Sequence, residues 1–142
     1  MKNNKNIWYA LPACIVCTAD QVFTLIGQSK SYWKYDRSKA NEANDLFNYL
    51  LQKGPWLFEF GIIIWMVLFT FLVMKTPPKI AKMISLSLII GHSWGLSSWL
   101  QYKIGLSYYS ILITFIFIAI LTILCWEISD KRNMDQEAEQ ES

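Results

Sequence analysis

The sequence predicts an all-α membrane protein: a four-helix transmembrane bundle with a short amphipathic interfacial helix between the first two spans. Three observations carry that expectation. The 142 residues are 54% hydrophobic with a mean hydropathy of +0.25, more apolar surface than a soluble domain of this size can cover with polar side chains. Only 17% of residues are charged, and they gather at the chain ends and between apolar runs instead of recurring along one face of each helix. Four apolar runs also reach the roughly 20 residues that a helix rising about 1.5 Å per residue needs to cross about 30 Å of hydrocarbon while pairing its own backbone.

Those runs are residues 7–27, 55–74, 80–100 and 106–126. The second and fourth are almost unbroken Ile, Leu, Phe, Val and Met, whereas the first and third carry polar residues. Lys2 and Lys5 ahead of Leu11-Pro12-Ala13-Cys14 resemble the start of a cleavable lipoprotein leader. Only about six residues separate Lys5 from that string, short of the roughly 7 to 15 apolar residues such a leader needs, and the apolar run continues past Cys14. Cys14-x-x-Cys17 has redox-motif spacing, but no βαβ pattern surrounds it. With three cysteines in all, an odd number set in apolar runs, these read as small buried hydrophobes and not as a disulfide framework.

Between the first two spans, Ala43, Leu46, Phe47, Leu50 and Leu51 recur at helical spacing, with Glu42, Asn44, Asp45, Asn48 and Gln52 on the other faces. Gly54-Pro55 closes the run, so the spacing predicts an interfacial helix over about 41–53. Tyr32, Trp33 and Tyr35 before it are rings that favour the headgroup level. Residues 1–128 therefore form one transmembrane domain. The segment from Glu127 to Ser142 holds six acids and two bases without apolar periodicity, and 129–142 is expected to be a disordered acidic tail.

Four spans put both termini on one side of the plasma (inner) membrane. Seven basic residues fall on that side (Lys2, Lys5, Lys75, Lys79, Lys82, Lys131, Arg132) against six on the other. The three lysines packed into the short 75–82 turn weigh more than bases spread over a long loop, which places both termini in the cytoplasm. A net charge of +2 is too small to point to nucleic acid.

Asp20, Glu59 and His92 are the ionisable groups at membrane depth, where each is costly unless paired, solvated or neutralised. At about 1.5 Å per residue they lie about 10, 6 and 12 Å below the same face, within one leaflet. That leaflet adjoins the 28–54 loop, whose Glu42, Asn44 and Asp45 can fold over them. Thr24 and Cys17 stand one turn from Asp20, and Gly95 and Trp99 follow His92 at i+3 and i+7. Gly91-x-x-x-Gly95 brackets His92 and lets a neighbouring helix approach, so Asp20 and His92 are expected to face each other inside the bundle.

The string Asp20-Gln-Val-Phe-Thr24, the Glu42-Ala-Asn44 loop and the stretch from Leu46 to Phe58 with its Gly54-Pro55 break resemble an uncharacterised family of small polytopic bacterial and archaeal membrane proteins. That family has an Asp-x-x-x-Thr helix and a Glu-x-Asn-Pro loop. The resemblance covers about residues 13–100, and Asp45 stands where the family usually has proline. It implies that Asp20, Thr24, Glu42 and Asn44 belong together, and it brings no activity with it.

Two function classes follow. In the first, Asp20, Thr24, Glu42, Asn44, Glu59 and His92 form a polar pocket that binds or conducts a small cation, a proton or a lipid headgroup, in a homo-oligomer or with a partner membrane protein. In the second, Asp20, Glu42, Glu59 and His92 hold a divalent metal that activates water against a lipid-linked or peptide substrate. Against the second, no HExxH, HxxxD or GxSxG occurs and there is one histidine in the chain. A structural accessory subunit of a membrane complex is the third reading.

Overall fold

The computed structural model describes residues 7–141, and among them all regular structure is helical. The helices run in the order α1 (Ile7–Ile26), α2 (Lys30–Lys34), α3 (Asp45–Lys53), α4 (Pro55–Lys75), α5 (Pro78–Trp99) and α6 (Tyr108–Glu141). A 3-10 turn occupies Arg37–Lys39 and a π turn Leu100–Ile104. Lys2, Lys5 and Ser142, which enter the reading of the termini, lie outside the described residues.

Among the described residues three helices are long and apolar enough to cross a membrane: α1, α4 and the Tyr108–Asp135 part of α6. Their outer faces carry side chains that water would reject. Trp56 and Val67 on α4 are 85% and 62% exposed, and Ile113 and Phe117 on α6 are each 66% exposed. Helix α5 matches them with 22 residues, but five serines, His92, Lys79 and Lys82 dilute its hydropathy.

Helix α1 is the axle of the bundle and packs against α4, α5 and α6. Lipid supplies no hydrophobic drive to bring helices together, so close approach rests on small residues and good packing. The buried residues Ala10, Ala13 and Cys17 of α1 and Ala81 and Ser85 of α5 supply that small surface. Tyr9, Phe69, Val73 and Ile89 complete the core below. Above it, Tyr32, Leu51, Phe58 and Ile62 seat the loop and α3 on the start of α4, with Leu50 lying over Gly61.

The amphipathic helix begins at Asp45 and not near 41, because Asn44 is extended (φ −85°, ψ 119°) and caps it, its side chain accepting from the Phe47 amide at 3.2 Å. Asp45 in the first turn and Lys53 in the last complement the helix dipole. Pro55 then opens α4 at the position where a missing N–H is harmless. Gly105, at φ 75°, takes the left-handed cap that ends the π turn, so α6 starts at Tyr108.

The acidic tail expected to be disordered instead continues α6 to Glu141. Its Met, Gln, Glu, Ala, Lys and Arg are good helix formers with no Gly or Pro among them. Its first turn is also bound to the bundle. Asp130 accepts from the Tyr9 hydroxyl and from the Lys82 ammonium, each at 2.6 Å, and Asn133 Nδ2 donates to the Tyr9 oxygen at 3.0 Å.

Candidate functional site

At the other end of α1, Asp20 faces α5. Its Oδ2 lies 2.8 Å from His92 Nδ1, and with the carboxylate ionised the Nδ1–H is the donor. The two side chains are only 13% and 19% exposed, so the pair sits in the bundle interior and not against lipid. Its second oxygen, Oδ1, is buried without a hydrogen-bond partner.

What lets the carboxylate lie so close to α5 is Gly95. A Cβ there would stand 2.8 Å from Oδ1, 2.9 Å from Oδ2 and 3.1 Å from Cγ, so only a Cα–H fits. Gly91 has open space around its Cβ position. The small-residue pair read from the sequence is thus half used: Gly95 receives Asp20, while Gly91 faces away from the contact.

The loop is laid over the pair by Gln28, which is 6% exposed. Its amide acts as a substitute strand: Nε2 donates to the Asn41 carbonyl and Oε1 accepts from the Asn41 amide, both at 2.9 Å. Nε2 also donates to the Thr24 carbonyl at 2.9 Å, which locks Gln28 onto the end of α1. Farther along, the Tyr32 hydroxyl donates to the Leu51 carbonyl at 2.9 Å and ties the loop to α3. These bonds place residues 41–43 over Asp20, enclosing a pocket of about 190 Å³ lined by Asp20, Asn41, Glu42, Ala43, Gly95, Ser98, Trp99, Tyr102 and Lys103.

Glu42 is half-buried, and its Oε1 accepts from the Asn44 amide at 3.0 Å. Burial pushes its carboxyl above the ordinary value of 4.5; the amide bond acts in the opposite direction, and the nearby Asp20 charge adds to the rise. On the facing wall the Trp99 ring packs over Gly27, where even a Cβ would come within 2.4 Å of it. Lys103 Nζ lies 5.8 Å from the Trp99 ring centroid, at the pocket mouth. The pocket therefore has a carboxylate on α1, a second in its roof and an ammonium at its opening. A π turn at such a place widens the end of α5 and carries Tyr102 and Lys103.

Of the residues singled out from sequence, Asp20, Glu42 and His92 come together. Thr24 is buried beside them and contributes its carbonyl to Gln28, and Asn44 caps α3 and bonds Glu42 through its backbone. Glu59 does not join. Phe58 and Ile62 are the α4 residues turned toward the loop core, and one position beyond Phe58 carries Glu59 about 100° around the helix. Among the described residues no group of three or more His, Cys, Asp or Glu side chains is placed to hold a metal ion. The four-ligand set expected from Asp20, Glu42, Glu59 and His92 is not assembled, and the donors present do not fit a divalent cation. Cys17 adjoins His92, which gives the composition of a nucleophile, base and orienting acid. Its thiol is 0% exposed and is not part of this pocket's lining, so it serves as packing beneath the imidazole.

Sequence reasoning singled out Trp99 by its spacing from His92 and missed Gln28, Asn41, Ser98, Tyr102 and Lys103. Helical spacing would have found three of the missed residues, since 98, 102 and 103 follow Gly95 at i+3, i+7 and i+8. Comparison with protein-family models, curated proteins and solved structures finds no match to this chain.

Proposed function

We propose that the chain is a four-span protein of the plasma (inner) membrane, with both termini cytoplasmic, that binds a small ammonium group in a one-ended pocket on the loop side. The observation that carries this reading is the Asp20 carboxylate, which is held by His92, roofed by Glu42 and left with one buried oxygen lacking a donor. A buried acceptor without a partner costs roughly 1 to 3 kcal/mol, which a ligand N–H would offset. Asp20 itself lines the pocket, which sets its carboxylate against whatever occupies that space.

Four spans are supported by the length of α5, about 33 Å and enough to cross the hydrocarbon, and by its packing on α1 with Ser85, His92 and Gly95 turned inward. The exposed Leu46 and Tyr49 on α3 favour an interfacial position for that helix. Membership in the Asp-x-x-x-Thr family is supported by the meeting of Asp20 with Glu42. Binding is favoured over conduction because α1 is packed with Cys17, Ala13 and Ala10 between the Asp20–His92 pair and the Tyr9, Lys82 and Asp130 group at the opposite end. Conduction would need further copies or a partner subunit; binding does not.

Thermal unfolding of the purified protein in detergent tests the reading, with ethanolamine, sodium, potassium and choline chlorides compared at equal ionic strength. Ethanolamine should raise the midpoint, choline should do so far less because it has no N–H, and Asp20→Asn should remove the difference. Equal midpoints with all four salts, or an ethanolamine shift that survives in Asp20→Asn, would overturn it.

A further inference from the structure

The pocket is not uniformly acidic. Its carboxylates lie on α1 and in the roof, while the ammonium of Lys103 stands beyond the end of α5, where the Trp99 ring beneath it is wedged against Gly27. A plain cation gains nothing from that lysine and is repelled by it. A ligand with an anionic group a few bonds from its ammonium gains from both walls, because opposite charges then face each other at the floor and at the mouth.

The order of the charges along the membrane normal also discriminates between sources of such a ligand. Asp20 lies about 10 Å below the end of α1, whereas Lys103 follows the last turn of α5. A ligand seated here has its ammonium deep and its anion shallow. In an aminophospholipid of the surrounding leaflet the phosphate lies between the ammonium and the acyl chains, which is the reverse order. A water-borne zwitterion entering past the 41–43 loop arrives with its ammonium leading and leaves its anion at Lys103.

We propose that the pocket binds a small zwitterion from the aqueous phase, a primary ammonium joined through a few bonds to a phosphate or carboxylate, with Asp20 taking the ammonium and Lys103 the anion. This rests on the ammonium-binding reading above. The shared chemistry with a lipid headgroup makes phosphoethanolamine the natural probe, free or lipid-borne.

The test is calorimetric titration of the full-length protein with ethanolamine, O-phosphoethanolamine and O-phosphocholine, in nanodiscs with and without phosphatidylethanolamine. O-phosphoethanolamine should bind about threefold to fivefold tighter than ethanolamine, the gain expected of one partly exposed ion pair. Lys103→Gln should erase that gain and tighten ethanolamine itself slightly, because the ammonium that repels a plain cation is gone. O-phosphocholine should bind weakly, and phosphatidylethanolamine in the disc should not compete. If ethanolamine binds through Asp20 but the phosphate adds nothing, or Lys103→Gln has no effect, the zwitterion proposal fails and the ammonium reading stands. Competition by phosphatidylethanolamine overturns the aqueous source, and failure of every amine to bind overturns both.

Discussion

Exchanging the two glycines of α5 separately for alanine should have opposite effects four residues apart on one helix. At Gly91 a Cβ meets nothing within 4 Å, so Gly91→Ala carries only the helix-propensity gain of roughly 0.5 to 1 kcal/mol. At Gly95 the Cβ would lie 2.8 and 2.9 Å from the two Asp20 oxygens, well inside normal contact. Asp20 is short and its Oδ2 is bound to His92 at 2.8 Å, so it cannot swing aside without giving up that bond. Either the helices separate, at an overpacking cost of about 1 to 3 kcal/mol, or the charged hydrogen bond is lost, at about 1.5 to 3 kcal/mol. After the propensity gain, Gly95→Ala should destabilise by about 1 to 2 kcal/mol and weaken ethanolamine binding. Unfolding titrations in mixed micelles measure both variants against the wild type. Equal stability of Gly91→Ala and Gly95→Ala would refute the close approach of Asp20 to the α5 backbone.

Three further outcomes follow from the same geometry. Gln28→Ala removes both part-buried bonds that hold Asn41, at about 0.5 to 1.5 kcal/mol each, and amide exchange should accelerate in residues 37–44 while the centres of α1 and α5 stay protected. Glu42 titrates above its ordinary value in the folded state, so the folded protein holds a proton that the unfolded chain has released. Stability should therefore fall as pH rises from 4.5 through the folded-state value, and Glu42→Gln should flatten that slope in thermal midpoints recorded between about pH 4 and 8. Tyr9→Phe removes the hydroxyl between Asp130 and Asn133 at the opposite end, which should lower stability by about 0.5 to 1.5 kcal/mol without changing ethanolamine affinity.

The parts of the fold legible in the sequence were those governed by solvent and period. Long apolar runs marked the helices because lipid admits nothing else, and the placement of Asp20 against His92 followed from counting residues down each helix. The start of α3 was misplaced by about four residues because apolar periodicity does not register the extended backbone of a cap such as Asn44. Gln28 was invisible because pairing a side-chain amide with the backbone of Asn41 leaves no pattern in composition. The helical continuation of α6 into the tail was not legible, because charge without apolar spacing says nothing of contacts made at its first turn, where Asp130 meets Tyr9 and Lys82. Lys103 entered the reading only as a topology charge, since its place beside the pocket depends on Trp99 packing over Gly27.

The central claim is that an ammonium nitrogen sits against the Asp20 carboxylate, and solid-state NMR reads that contact directly. With ¹⁵N-ethanolamine bound to protein labelled at the aspartate carboxyl carbons, a through-space correlation at hydrogen-bonding range should join the ligand nitrogen to Asp20 and vanish in Asp20→Asn. A ligand nitrogen that correlates with Asp130 instead, or with no aspartate under saturating ligand, would contradict the account.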